Sequence, residues 1–170
     1  MDLVDELDNG TYSLGLMNTK NRGSYDEISY FMTIALGRKV KVRDDQFKLV
    51  ENTDSSIQVV GFDKIKSELT KDNKEYEGKI KNLGEKLKDE GVAYIGSGPS
   101  SLIACDIDGN IDSGELKLVY DKNGLNNKTN QYLKDSNIMI LSYDINEDSH
   151  RIEILKNYLE DIKNYNIVIF

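Results

Sequence analysis

One cysteine, one proline, one histidine and no tryptophan are spread over 170 residues. The lone Cys105 excludes an internal disulfide and a cysteine zinc cluster, so a reducing, cytoplasmic setting is the expectation. The lone His150 stands at a helix start among charges and reads as a solvated side chain rather than a catalytic one. No apolar run is long enough to span a membrane, and no secretory signal is visible, so no membrane partner is expected. Positive charge is also short. The net charge is -8, and the longest basic stretch, "GRKVKVR" at Gly37–Arg43, is followed at once by acids. A nucleic-acid surface needs a basic patch, so none is expected and the stretch reads as a solvated strand. Hydrophobic residues make up 38% and charged residues 31%, the balance of a soluble globular chain long enough for one domain with a core.

The first third mixes helix and strand patterns. "DLVDEL" is a short helical pattern that ends at "DNG", and "TYSLGLM" (Thr11–Met17) alternates like a strand. "SYDEISYFMTIAL" opens on Ser24 with Glu27 three residues on, a capping box, and stops at Gly37. "KVKVRDDQFKLVEN" and "SIQVVGF" are strand patterns joined by "TDSS", which is turn chemistry, so an antiparallel hairpin is expected. From Asp63 to Glu90, Ile65, Leu69, Tyr76, Ile80, Leu83 and Leu87 keep helical spacing. This predicts one long helix, weakened by Gly78 and Gly84; Asn73 and the glycines argue against a coiled coil.

After Gly91 strands and helices alternate. "VAYIG", "ELKLVYD", "NIMILSYDI" and "NIVIF" read as strands; "PSSLIAC", "NNKTNQYLK" and "SHRIEILKNYLEDIK" read as helices. Nearly continuous apolar strands between helices predict a parallel sheet covered on both faces. The first of these strands runs into "GSGP". Doubly wound sheets bind ligands outside the carboxyl ends of their strands, where strand order reverses. Gly96 and Gly98 would let the backbone pass close to a ligand there, and Pro99 suits a first helical turn. A carboxylate after the next strand, Asp121, is suited to two ribose hydroxyls. The third strand ends at Asp144, with Ile145 beside it.

This set resembles the class I S-adenosylmethionine (SAM)-dependent methyltransferases, and within them the nicotianamine-synthase-type enzymes. The likeness rests on Gly-Ser-Gly-Pro, on the pair Tyr120–Asp121 and on Asn127 shortly after. The resemblance implies a loop of Gly96, Ser97, Gly98 and Pro99 facing the methionine end of SAM. It also implies Asp121 on the ribose, Asp144 and Ile145 near the adenine, and a fourth strand ending at the reaction centre. It implies methyl or aminopropyl transfer to a small-molecule acceptor, with no catalytic residue identified and no metal. Because the methyltransferase sheet has more strands than follow Gly91, the missing half is sought in residues 1–62. The expectation is therefore a Rossmann-like, doubly wound, mostly parallel α/β sheet with an antiparallel hairpin, circularly permuted. Residues 1–62 would supply its second half, 63–90 a connecting helix and 91–170 its first half. Thr11–Met17 should then lie beside the "NIVIF" strand.

Other readings carry less. A flavin or NAD fingerprint would place Ser101 where the third glycine belongs, and such proteins need more chain. "ACDIDGN" echoes phosphoaspartate phosphatases, but requires a strand where a helix end is expected, and no later lysine or acid pair completes it. Asp106, Asp108 and Asp112 miss the spacing of a calcium loop and read as a solvated turn. A SAM- or nucleotide-binding protein without catalysis is the alternative function. The acceptor and the oligomeric state are not read from the sequence.

Overall fold

The computed structural model describes residues 27–37, 40–42, 47–52, 54–71, 81–145, 148–165 and 167–169. Helix α1 (Glu27–Leu36) is followed by strands β1 (Lys48–Glu51) and β2 (Ile57–Val60), then α2 (Phe62–Lys71). The one-turn helix α3 (Leu83–Lys86) and a 3-10 turn (Lys88–Glu90) precede β3 (Val92–Ile95). After α4 (Ser101–Ala104) come β4 (Asn110–Ile111), β5 (Ser113–Glu115), α5 (Lys122–Tyr132), β6 (Ile138–Leu141), α6 (Ser149–Ile162) and β7 (Ile167–Ile169). The protein is thus an α/β fold built on two sheets. One is antiparallel, in the order β1-β2-β4; the other is parallel, in the order β5-β3-β6-β7.

Alternation along β3 and β6 explains why both faces of the parallel sheet are covered. Val92, Tyr94 and Ile140 point to one face, against α1, α2, α4 and the antiparallel sheet. Ala93, Ile95, Met139 and Leu141 point to the other, against α5 and α6. A strand buried on both faces must be apolar at every position, which "VAYI" and "MIL" satisfy. Helix α6 presents Ile154, Leu155, Tyr158, Leu159 and Ile162 to the second core; Leu155, Leu159 and Ile162 lie on the face expected from the sequence, whereas Ile152, expected with them, does not join that core.

The hairpin is where the sequence places it. Its turn is held by Asp54, whose Oδ1 accepts from the amide and hydroxyl of Ser56 at 3.0 and 2.7 Å. It does not stand alone, however. The short strand β4, read as loop in the sequence, adds to β2. The hairpin also closes the outer edge of β5, with the Gly114 amide donating to Ser55 O at 2.8 Å and the Leu116 amide to Glu51 Oε2 at 3.0 Å. An edge strand covered in this way has fewer backbone groups open to another chain.

Three expectations change. The helix predicted over Asp63–Glu90 is interrupted: Asn82 is extended and caps α3 through its side chain, while Tyr76, Gly78 and Ile80 fall outside the described residues. Gly84 is a contact residue, since a Cβ there would lie 2.1 Å from Cys105 O. Helical spacing alone could not distinguish a weak helix position from a close approach. The second parallel strand is Ser113–Glu115, not "ELKLVYD". Its partner β3 ends at Ile95, opposite Glu115, so from Leu116 onward no neighbouring strand among the described residues remains to pair with. Numbered along the chain, the parallel strands lie in the order second, first, third, fourth. The Rossmann order instead puts the third strand outside the second; the order here is the other common doubly wound arrangement. Thr11–Met17, on which the permutation rests, lies outside the described residues. The hairpin meant to complete the permuted half borders β5, at the far side of the sheet from β7.

Candidate functional site

In this strand order, chain direction across the sheet reverses between β3 and β6, so their carboxyl ends flank the switch point. The glycine loop leaves β3 there, and Ser142 leaves β6. The two exits touch. Ser142 N donates to Ile95 O at 2.9 Å, while on the other side of β3 Gly96 N donates to Glu115 O of β5 at 3.0 Å. Gly96 has φ 139°, and a Cβ on it would lie 2.5 Å from Ser142 Cβ. Only glycine satisfies both constraints. Gly98 differs, having no left-handed φ, and a Cβ on it would meet only Ser142 Oγ, at 3.4 Å. The tight glycine of the loop is therefore the first.

The loop is held from beneath by Tyr94, which is fully buried. Its phenol donates to Gly98 O at 2.9 Å, accepts from Gly98 N at 3.2 Å and meets Ser100 Oγ at 3.0 Å. A phenol has one hydrogen, so the Ser100 hydroxyl is the donor in that last pair. Burial, opposed by these hydrogen bonds, pushes the Tyr94 pKa up. Ser97 is exposed and Pro99 half-buried at the rim. Ser101, next along, is fully buried, and its Oγ has no partner among the described residues.

Asp121 is exposed and caps α5, its Oδ1 accepting from Gly124 N at 2.7 Å. Its neighbour Tyr120 crosses toward the end of β6 and packs edge-on against Tyr143, with ring centroids 5.3 Å apart. Arg151 of α6 stacks over Tyr120 at 3.8 Å. Its Nη1 donates to Asp144 O at 3.0 Å and lies 3.6 Å from Asp144 Oδ2, while its Nε lies 3.8 Å from Asp148 Oδ2. The Tyr143 hydroxyl donates to Arg151 O at 2.9 Å. Burial, with the Tyr120 phenol beside it, pushes the Tyr143 pKa up to about 12, so Tyr143 stays protonated near neutral pH. Ile145 is half-buried against the second core, and Asn127 is exposed on α5.

The structure thus sets the Gly96–Pro99 loop against the exit of β6, where Asp144 and Ile145 follow Ser142. Tyr120 ties the segment before Asp121 to the same exit. Sequence reasoning missed Tyr94, Ser142, Tyr143 and Arg151. For Tyr94 a signal existed: a tyrosine in an otherwise apolar buried strand carries a hydroxyl that needs a partner.

Away from this edge, Asp106 is not the solvated turn residue expected from the sequence. Its Oδ1 accepts from the amides of Asp108 and Asn110, each at 2.8 Å, and its Oδ2 faces Lys88 Nζ at 3.4 Å. Burial raises its pKa, but those amides and Lys88 outweigh it, and the net shift is downward. Among the described residues no cluster of three or more histidine, cysteine or carboxylate groups is placed to hold a metal ion. None of their helices is long and apolar enough to cross a membrane. His150 is exposed beside the α6 cap, Asp148. Comparison with protein-family models, with curated proteins and with solved structures finds no match to this chain.

Proposed function

We propose that the crevice between the exits of β3 and β6 binds S-adenosylmethionine, and that the chain is a small transferase moving a methyl or aminopropyl group to a small-molecule acceptor. The observation that carries this reading is the place of the Gly96–Pro99 loop. It lies at the switch point of a doubly wound parallel sheet and in contact with the exit of β6. Strand order enters this reading only through the position of that switch point. Asp121, Asp144 and Asp148 make this edge acidic, which suits a sulfonium cation. Such a donor is already activated, so the protein's task is to align donor and acceptor and to exclude water. Cys105, a buried free thiol, accords with a cytoplasmic setting.

A binding role without catalysis is the second reading. It is favoured by the way the edge spends its polar groups: Asp121 caps a helix, and Asp144 is engaged by Arg151.

Calorimetric titration with SAM tests both readings. Asp121→Asn is the informative variant, because asparagine caps a helix as well as aspartate but carries no charge. It should leave the fold intact and weaken SAM binding by about 1.5–3 kcal/mol, the loss of a charge-assisted hydrogen bond. SAM binding without turnover on an acceptor panel would select the second reading. No heat with SAM at millimolar concentration would reject both.

A further inference from the structure

Arg151 stands where the helix that carries it does not favour a cation. It lies in the first turn of α6, at the positive end of the helix dipole. Its side chain is 27% exposed and turns back to two segments at once. With its edge it meets the exit of β6: Nη1 donates to Asp144 O at 3.0 Å and lies 3.6 Å from Asp144 Oδ2. With its face it lies 3.8 Å from the centroid of the Tyr120 ring, and Tyr120 immediately precedes Asp121. Tyr143 completes the circuit, packing edge-on against Tyr120 and donating its hydroxyl to Arg151 O. A planar guanidinium can stack through its face while donating through its edge, which an ammonium cannot do.

We propose that Arg151 is a positioning residue for the crevice. Its guanidinium ties the exit of β6, which carries Asp144, to the connection between β5 and α5, which carries Asp121, and so fixes the spacing of the two acids. The inference rests on the SAM reading for the ligand and deepens it, by naming the group that holds both acids in place for it. Charge and position predict opposite signs. As a charge alone, Arg151 opposes a sulfonium cation, so its loss would tighten SAM binding. As a tie, its loss loosens binding.

The test is calorimetric titration with SAM of the wild type, Arg151→Gln and Arg151→Lys, with NMR on the three proteins free of ligand. The first variant removes the charge; the second keeps it and loses the planar stack. Both should raise the SAM dissociation constant by roughly tenfold, the scale of a stacked cation and a charge-assisted hydrogen bond. Tighter binding by Arg151→Gln, or an unchanged constant in either variant, would overturn the proposal; a loss of thermal stability alone is what a merely structural role predicts. In the free wild type, the Arg151 Cδ protons should resonate upfield of their ordinary position, because they lie over the Tyr120 ring. Arg151→Lys should move the amide signals of both Asp121 and Asp144 and leave those of Gly91 and Asn137, at the other end of the sheet, in place. An ordinary Arg151 shift in the wild type would overturn the proposal even if neither variant folds, and an unmoved Asp121 signal would overturn it as well. If these NMR signatures are present while the wild type gives no heat with millimolar SAM, the tie stands and the SAM reading is what fails.

Discussion

The two ends of the parallel sheet are built from similar parts and finished differently. At the amino end, Gly91 has φ 69°, and a Cβ on it would lie 3.0 Å from Asp135 O. At the carboxyl end, Gly96 meets Ser142 in the same manner and more tightly. Beyond those contacts the ends diverge. The amino end closes on itself: Asn137 N donates to Glu90 O at 2.9 Å, Asn137 Nδ2 to Glu90 Oε2 at 3.2 Å, and Ser113 Oγ meets Ser136 Oγ at 3.2 Å. The acids tell the same story. The Asp106 side chain, bound to the Lys88 that precedes β3, is 10% exposed, whereas that of Asp144 is 56% exposed. At the carboxyl end Asp121 and Asp144 are also engaged within the chain, yet they and Ser97 stay exposed, at the end where a doubly wound sheet places function.

Gly96→Val should break the carboxyl end. Backbone strain and the clash with Ser142 together should cost about 3 kcal/mol or more, read as a lower urea midpoint. A stability loss under about 1 kcal/mol would show that the β3–β6 contact yields easily. Gly91→Ala should cost less, about 1–3 kcal/mol, because its contact is looser while its φ remains unfavourable. A SAM titration of that variant should be unchanged, since the amino end takes no part in the site.

Asp106 sharpens the contrast through pH. Its folded pKa is lowered, so its carboxylate stabilises the fold above the ordinary carboxylate range, and that contribution is lost as pH falls through the folded value. Asp106→Asn keeps an acceptor for the Asp108 and Asn110 amides. It should cost about 1 kcal/mol at neutral pH and flatten the acid limb of a stability-versus-pH curve. An acid limb as steep as that of wild type would mean other carboxylates govern it. The smallest effect belongs to Gly98→Ala, whose Cβ has room and whose φ is ordinary. Its stability should stay within about 0.5 kcal/mol of wild type. Gly98→Val should also fold, yet lose the thermal shift produced by SAM, because its side chain projects beside Ser142 Oγ, where the ligand is proposed to sit.

Much of this was legible from local pattern. The hairpin, α1 ending at Gly37, the helix at Ser149–Ile162 and the apolar strands β3, β6 and β7 follow periodicities and turn residues that act within a few positions. The glycine loop was legible for the same reason. What was not legible depends on partners distant in sequence. "LKLVY" alternates like a strand, yet pairs with no strand among the described residues, because β3 has already ended. "DGN" reads as a turn, yet Asn110–Ile111 pairs with β2, some fifty residues earlier. Asp121 looked like a ligand residue by its place after the expected second strand; its capping of α5 depends on where that helix begins, four residues before the local pattern suggested.

The residues by themselves determined that this chain is an α/β protein with a doubly covered sheet, because burial on both faces requires strands apolar at every position. They also determined a glycine loop at the end of the first parallel strand, because glycine admits backbone conformations that other residues rarely adopt. The tertiary structure alone decided that the third parallel strand lies beside the first, that Gly96 rather than Gly98 is the tight position, and that the Tyr94 phenol occupies the loop from below. Each of these is a contact between surfaces that meet only after the sheet has formed, and no local propensity specifies which strand a strand will meet.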